Sequence, residues 1–545
     1  MTKGKETGEE PTRFLISLIH PRTPDEPVWK HLPLVLLLGF IVRSAVALSG
    51  DFILHPDEIM QYLEPAHQLV FGNGVTYWEY FYGARSWLVP GITACVIKLF
   101  DIVGLGEPVW YVGGVKLFFC AFSLLIPAGM YFFTRNHFSE AAARVALLAG
   151  AFWYELVVFA HKPMTEFVAT ALLVVAFWLC IRSAGQKSSG KRETVAALTA
   201  VLATAVRVQY APLSLLALGT AFVLTRRKIT LGLATAFFLL AIGIFDAATW
   251  NGGLFHSYLT NLRFNLVIGQ VLMETPSHQF LLWFLLAGGG LGALCVALGL
   301  LDLRRYGFLL APIAAVLLFH SFQAQKEYRF IFAVIPLWLL LGSDIIAELA
   351  SRLGRARLVA GVAVGVFALV SLAGVFKALP YQNHIYRVYG MGGIGIGSFV
   401  GGGDTVFDAY RYLSRAPGVE AVWHVDRYYA NLPGYYYLHR KIPFYDSVRG
   451  PANFTNLKTA LLSVTHIVSE NPVVSLSGYS LEREFGNVRI LRRDVDEPEV
   501  RRWESYNPVI VSDRLWIIMK HADQDASPPP ANSGIRFAEA KGTEP

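Results

Sequence analysis

The chain has 545 residues, 54% of them hydrophobic and 16% charged, with a mean hydropathy of +0.44 and a net charge of +7. Soluble domains do not have this composition, and several apolar runs reach the roughly 20 residues that cross a bilayer core of about 30 Å. The basic excess does not imply a nucleic-acid partner, because Lys and Arg cluster in short loops between apolar runs, as the positive-inside rule expects.

The reading is a polytopic all-α membrane protein. Residues 1–31 form a polar, Pro-rich lead without a cleavable signal pattern, so the apolar run near Leu32 reads as a signal anchor. Apolar runs predict spans at 32–49, 110–133, 139–160, 164–183, 194–208, 209–225, 229–249, 279–301, 307–320, 328–349 and 358–379, about 11 in all. The shorter run 88–104 carries Lys98 and Asp101 between Pro90 and Gly104 and reads as interfacial or re-entrant. With a cytoplasmic N-terminus, the basic loops 134–140, 182–192, 226–228, 302–305 and 351–357 then share one side. The other, outer face collects 50–109, 161–163, 207–210, 250–278, 320–327 and everything after 380. Cys95, Cys120, Cys180 and Cys295 lie inside apolar runs at unrelated spacings, which gives neither a disulfide framework nor a metal site.

A Gly-rich linker at 390–403 closes the membrane part, 32–389. After it, β-like runs at 420–424, 466–469, 488–491 and 515–519 alternate with helix-like pieces at 405–413 and 455–462. These predict a small α/β domain on the outer face over 404–523, followed by a disordered tail, 524–545. No internal repeat suggests a transporter with inverted halves.

The polar residues of the outer segments gather in four places. In His55-Pro56-Asp57-Glu58, Pro56 suits the first position of a helix and the two acids sit in its first turn. Ile59, Leu63, Ala66 and Val70 share one face of that helix, and Asp57, Gln61, Glu64 and Gln68 the other, which predicts a helix lying flat on the bilayer. An ordinary surface helix fits the same pattern. Trp78, Glu79 and Arg85 fall in an aromatic stretch that is either an interface anchor or a sugar platform. His161 and Lys162 occupy a turn between two spans, where Thr165 or Glu166 would cap the next helix, and Arg207 sits in another outer turn. Gln325, Lys326, Glu327 and Arg329 form the most polar junction between spans, either an anion site or a salt-bridge knot. Arg43, Lys116, Glu155 and Asp246 read as structural charges inside or beside spans.

Five motifs in order, His55-Pro56-Asp57-Glu58, Leu63-Glu64-Pro65-Ala66-His67, Thr76-Tyr77-Trp78-Glu79-Tyr80, Gly83-Ala84-Arg85-Ser86 and Gln325-Lys326-Glu327-Tyr328-Arg329-Phe330, resemble family 22 of the GT-C glycosyltransferases. The first four look most like the GPI mannosyltransferase III branch. Two positions depart from the pattern: Gln325 stands where the family usually has His, and no Pro-Thr follows Arg207. The exact sugar and the acceptor therefore stay open.

The resemblance implies a GT-C fold and an inverting transfer of mannose from polyprenyl-phosphate-mannose to a glycan or glycolipid hydroxyl. Asp57 would be the base with Glu58 beside it, or the reverse. Lys326, Arg329, Arg207, His161 and Lys162 would bind the donor phosphate, with His55, Gln61, Glu64, Trp78, Glu79, Arg85, Gln325 and Glu327 around the substrates. No cofactor or metal is expected, and the partners are the lipid donor, the acceptor and membrane lipid. A bacterial inner membrane with a periplasmic site is expected, the ER membrane with a lumenal site being the alternative. The rival readings are another prenyl-phosphate sugar on the same fold, a lipid-linked oligosaccharide flippase, and a non-catalytic scaffold.

Overall fold

The computed structural model describes residues 28–181, 189–267, 276–323, 326–353, 356–380, 382, 398–447, 464–472, 474, 476–494 and 509–510. Gln325, the helix-like piece 455–462, the strand-like run 515–519 and the tail from 524 lie outside them, as do 1–27 and most of the Gly-rich linker.

The first helix, α1 (Leu32–Leu48), is followed by a π-helical turn, Glu58–Leu63, and by α2 (Glu64–Phe71), α3 (Trp78–Phe81) and α4 (Leu88–Ile102). A long apolar rod comes next, formed by α5 (Pro108–Ser123) and α6 (Leu125–His137), then α7 (Glu140–Phe152), α8 (Tyr154–Val158), α9 (Thr165–Ile181), α10 (Gly190–Val206) and α11 (Ala211–Leu224). The helical part continues through α12 (Lys228–Trp250), α13 (His256–Val267), α14 (Gln279–Leu286), α15 (Leu291–Leu300), α16 (Leu303–Ser321), α17 (Val334–Arg352) and α18 (Ala356–Val375).

Five stretches, 108–137, 228–250, 279–300, 303–321 and 334–352, are long and apolar enough to cross a membrane, and shorter apolar helices flank them. Lipid-facing rows of Leu, Ile, Val and Phe on α1, α12 and α18 are exposed, as expected where hydrocarbon rather than protein covers them. The protein is an integral, multi-pass membrane protein. At 15 residues, α4 is about 22 Å long, shorter than a bilayer core.

Charges inside the helical part are satisfied by the chain itself. Arg43 donates to the Gly39, Gly150 and Ala151 carbonyls at 3.2, 2.8 and 2.5 Å, closing the C-terminal end of α7. Glu155 accepts from Trp153 Nε1 at 2.9 Å and from the Tyr328 hydroxyl at 2.7 Å, and Asp246 accepts from Ser257 N and Oγ at 2.7 and 2.5 Å. An intramembrane charge without such partners would be costly.

The acidic helix departs from expectation. Gln61 and Glu64 on its polar face are as buried as Ile59 and Leu63 on its apolar face, so it is packed in protein on both sides there rather than resting on lipid. Its bonding pattern also widens, with Glu64 N donating five residues back to the Ile59 carbonyl. Pro65 has no N–H for the Gln61 carbonyl four residues before it, and the Tyr80 hydroxyl donates to that carbonyl at 2.6 Å.

Beyond 398 the chain builds a five-stranded sheet with α19 (Val406–Arg415) and α20 (Gly434–Leu438). Its strands are β2 (Val422–His424), β3 (Phe444–Tyr445), β4 (His466–Ser469), β5 (Tyr479–Phe485) and β6 (Val488–Arg493), in the order β3-β2-β4-β6-β5. The β3-β2-β4 part is parallel, and β6 and β5 are added antiparallel. A second, two-stranded pairing joins β1 (Thr76–Tyr77) to β7 (Val509–Ile510).

Candidate active site

The segment 53–63 meets the turns before α9, α11 and α17 at a buried network of charges. Arg329, in the 3-10 turn Tyr328–Ile331, holds three acids at once: Asp57 Oδ2 at 2.6 Å, Glu327 Oε2 at 2.5 Å and Glu166 Oε1 at 3.2 Å. Arg207, whose extended backbone links α10 to the next turn, grips the same Glu166 oxygen at 2.9 Å and lies over the Phe330 ring. His55 bridges the other side, with Nδ1 3.4 Å from Asp57 and Nε2 3.2 Å from Glu327. Burial by itself would lift the Asp57 carboxyl, but the His55 and Arg329 charges outweigh it and hold that group well below the usual carboxylate range. Asp57 is therefore an ionised acceptor at neutral pH.

Beside this network lies a partly open cleft between the aromatic stretch and α10. Arg85 and Arg207 line it together with Tyr62, Thr165, Ser257 and Asn261. Glu79 reaches Arg85 at 3.8 Å and accepts from Gln61 Nε2 at 2.8 Å. Burial raises the Glu79 carboxyl despite Arg85. Trp78 stacks on Phe264 with ring centroids 4.1 Å apart, and the Trp250 indole donates to the Arg85 carbonyl at 3.0 Å. The two indoles thereby brace the loop that carries Arg85.

Other residues singled out in the sequence point elsewhere. Glu58 pairs with Lys162 at 2.9 Å and accepts from Leu54 N at 3.1 Å, and Lys162 also donates to the Phe52 carbonyl at 2.6 Å. Both line a separate small pocket with His161, whose two ring nitrogens have no hydrogen-bond partner. Burial, with Lys162 and Lys116 adding to it, pushes His161 well below its ordinary value and keeps it neutral. The Lys326 ammonium donates to the Gln323 carbonyl at 2.5 Å, on the turn before it. Glu64 is completely buried, and its oxygens accept from Tyr436 N at 2.7 Å, Val75 N at 2.9 Å and the Tyr429 hydroxyl at 3.4 Å. The contacts of Arg329 match the salt-bridge reading of the 325–329 junction.

Glu166 is the residue that sequence reasoning undervalued. It was expected to serve the start of α9, yet its carboxylate stands between Arg207 and Arg329. Its signal was available: an acid in the first turn of an otherwise apolar, buried helix needs a cation. Tyr62, Thr165 and the 257–261 side of the cleft had no comparable signal, because only the packing of α10 and α13 brings them there.

The chain is similar to several known proteins. GPI mannosyltransferase 3 of Yarrowia lipolytica is 26% identical over 376 residues, which is 67% of this chain and 72% of that protein. GPI alpha-1,2-mannosyltransferase 3 of Mus musculus is 24% identical over 356 residues, covering 62% of this chain and 63% of the mouse protein. Among solved structures, ArnT from Cupriavidus metallidurans bound to undecaprenyl phosphate superposes with a TM-score of 0.55 at 14% identity, over 86% of this chain and 99% of that one. The shared fold is the GT-C fold of membrane glycosyltransferases. The model of the Alg9-like mannosyltransferase family matches residues 34–391, from α1 to the end of the helical part. This chain belongs to the Alg9-like mannosyltransferase family.

Proposed function

We propose that the protein transfers mannose from a polyprenyl-phosphate-mannose donor to a hydroxyl of a glycan or glycolipid, with inversion at the sugar carbon and Asp57 as the base. The observation that carries this reading is the Asp57–Arg329–Glu166–Arg207 chain at the edge of the Arg85-lined cleft. It supplies an ionised acceptor and guanidinium groups within one network, which a single-displacement transfer to a hydroxyl requires. The acceptor oxygen attacks C1, the C1–O bond to phosphate breaks, and the acceptor proton passes to Asp57. Arg329 and Arg207 meet the charge that develops on the leaving phosphate, and Arg85 stands across the cleft from them. Glu166 Oε1 bridges the two guanidiniums and holds them beside each other. The α linkage follows if the donor is β-linked.

In this reading guanidinium groups rather than a metal meet the leaving charge, so transfer is expected to persist in a chelator, and its loss there would assign that role to a metal. The basic loops 226–228 and 302–305 lie at the opposite helix ends from 161–163 and 207–210, which supports a site on the outer face, where a lipid-linked rather than a nucleotide donor is available. ArnT, with undecaprenyl phosphate bound, supports a lipid phosphate as the leaving group here.

The experiment is transfer from a synthetic prenyl-phosphate mannose to membrane lipid extract by the purified protein, comparing wild type with Asp57→Asn. A loss of about 10²–10⁴-fold with unchanged thermal stability is the expected result. Undiminished transfer by the variant removes Asp57 from the chemistry. Transfer only from a different prenyl-phosphate sugar would correct the donor and keep the base.

A further inference from the structure

The part of the chain beyond 398 lies outside the family match, yet it holds the segment that carries Asp57 at four separate places. Asp51, at the start of that segment, pairs with Lys116 at 2.5 Å, accepts from the Tyr437 hydroxyl at 2.9 Å and pairs with Arg411 of α19. Glu64, immediately after the π-helical turn, receives the α20 backbone through Tyr436 N at 2.7 Å. Further along α2 and its following loop, His67 Nε2 meets His439 Nδ1 at 3.1 Å, and Asn73 Nδ2 donates to the Arg440 carbonyl at 3.3 Å. Thr76 and Tyr77 then pair in parallel with Val509 and Ile510.

The contact at Glu64 is the most constrained of the four. Its two oxygens accept from the backbone N–H groups of Tyr436 and Val75, Tyr435 N–H adds to them, and the Tyr429 phenol lies at 3.4 Å. The two backbone N–H groups meet different oxygens, so an amide at this position would set its NH₂ against one of them. On the other side, Gly434 has φ of +66°, and a Cβ there would lie 2.2 Å from Glu64 Oε1. Backbone conformation and space therefore both require glycine. No oxygen of Glu64 is left to reach a sugar, and the residue is fully buried, so the sequence expectation of a substrate contact does not fit its surroundings.

We propose that the C-terminal unit is a positioning element of the transferase and that Glu64 is the pin through which it acts. Glu64 follows the turn Glu58–Leu63, so a shift where α20 docks passes through that helix to Asp57. A displacement of about 1 Å at a catalytic group costs about 10²-fold in rate. Asp51 and the β1–β7 pairing hold the two ends of the same segment and leave Glu64 to set its middle. The proposal rests on Asp57 being the base.

The test uses the full-length protein in nanodiscs, with Gly434→Ala and Glu64→Gln, and with Arg489→Ala at the exposed Glu484 pair as a control. Two readouts are taken: amide hydrogen exchange over 57–71, and transfer kinetics with prenyl-phosphate mannose. The expected result in both test variants is exchange faster by about tenfold or more and kcat lower by about tenfold or more, with donor KM within about threefold. The control is expected to match wild type. Glu64→Gln carries the test if Gly434→Ala does not fold. Unchanged exchange over 57–71 overturns the proposal, and so does faster exchange with wild-type kcat. Faster exchange in a protein whose Asp57→Asn variant keeps full transfer sinks the choice of base and leaves the docking contact standing.

Discussion

Asp57 and Glu58 are adjacent in the chain and end in opposite surroundings. Asp57 shares Arg329 with Glu327 and Glu166 and keeps 19% side-chain exposure at the edge of a cleft. Glu58 has one cation, Lys162, and the pair is 6% and 2% exposed. The difference teaches how charge is used in this protein. In the proposed mechanism a guanidinium shared among three acids turns toward an incoming phosphate while every acid keeps some partner. A one-to-one buried pair has no such freedom, because removing either charge strands the other in a poor solvent.

The largest effect that would break this comparison is expected at Arg329. Arg329→Met should lower kcat by about 10²–10³-fold, the scale of a lost transition-state cation. It should also alter the pH profile of kcat/KM. In the wild type, Asp57 sits below its ordinary value, so it is ionised throughout and should produce no acid limb above about pH 4. The stability it contributes is present above the unfolded value and disappears only as the pH falls through the lower folded one. Without Arg329, His55 and Arg85 still oppose burial but with less help, so the Asp57 carboxyl should rise and any acid limb should move to higher pH. A limb that stays where it was would mean that Arg329 does not set the ionisation of Asp57.

A smaller effect, on stability rather than chemistry, is expected on the other side. Lys162→Met or Glu58→Gln alone should destabilise the protein by about 3–5 kcal/mol, and the double variant should recover a good part of that loss. Thermal melting of the three proteins in detergent checks it. Single variants that melt normally and lose transfer would move Glu58 into the catalytic network.

The smallest effect is expected at His161, a neutral ring without hydrogen bonds that meets Phe52 edge-on at 5.8 Å. His161→Phe should leave transfer within about threefold and stability equal or slightly higher, since a buried unpaired polar group is relieved. A loss beyond tenfold in donor KM would return His161 to the phosphate site.

Much of the molecule was legible in the chain itself. Hydropathy placed α1, α9, α12, α16 and α17 within a few residues, because a bilayer demands long apolar helices whatever they pack against. Alternation and turn residues likewise located β4 and most of β2, β6 and α19. The short pieces β3, β5 and α20 were not anticipated, since two to seven residues with mixed patterning carry little periodic signal. At the site, Arg207 was legible as a charge costly to leave unpartnered in an outer turn, whereas Asp57, Arg85 and Arg329 were singled out through the family motifs, their bare patterns fitting a surface helix, an interface anchor and a salt-bridge knot equally.

Their grouping was not legible, and the reason is physical. Composition and periodicity are local properties that fix which segments become helices and which residue types must be compensated. Pairing is decided by which helix ends converge. Arg329 and Asp57 are 272 positions apart, Glu64 and Tyr436 are 372 apart, and nothing in either neighbourhood specifies the other. The sequence by itself determined a membrane-spanning helical protein with a charged, mannosyltransferase-like outer segment. Tertiary structure alone decided that Asp57 faces a shared arginine, that Glu58 and Glu64 turn into the protein, and that the C-terminal unit grips the segment between them. Those outcomes depend on how packed helices aim their side chains, which a linear pattern does not encode.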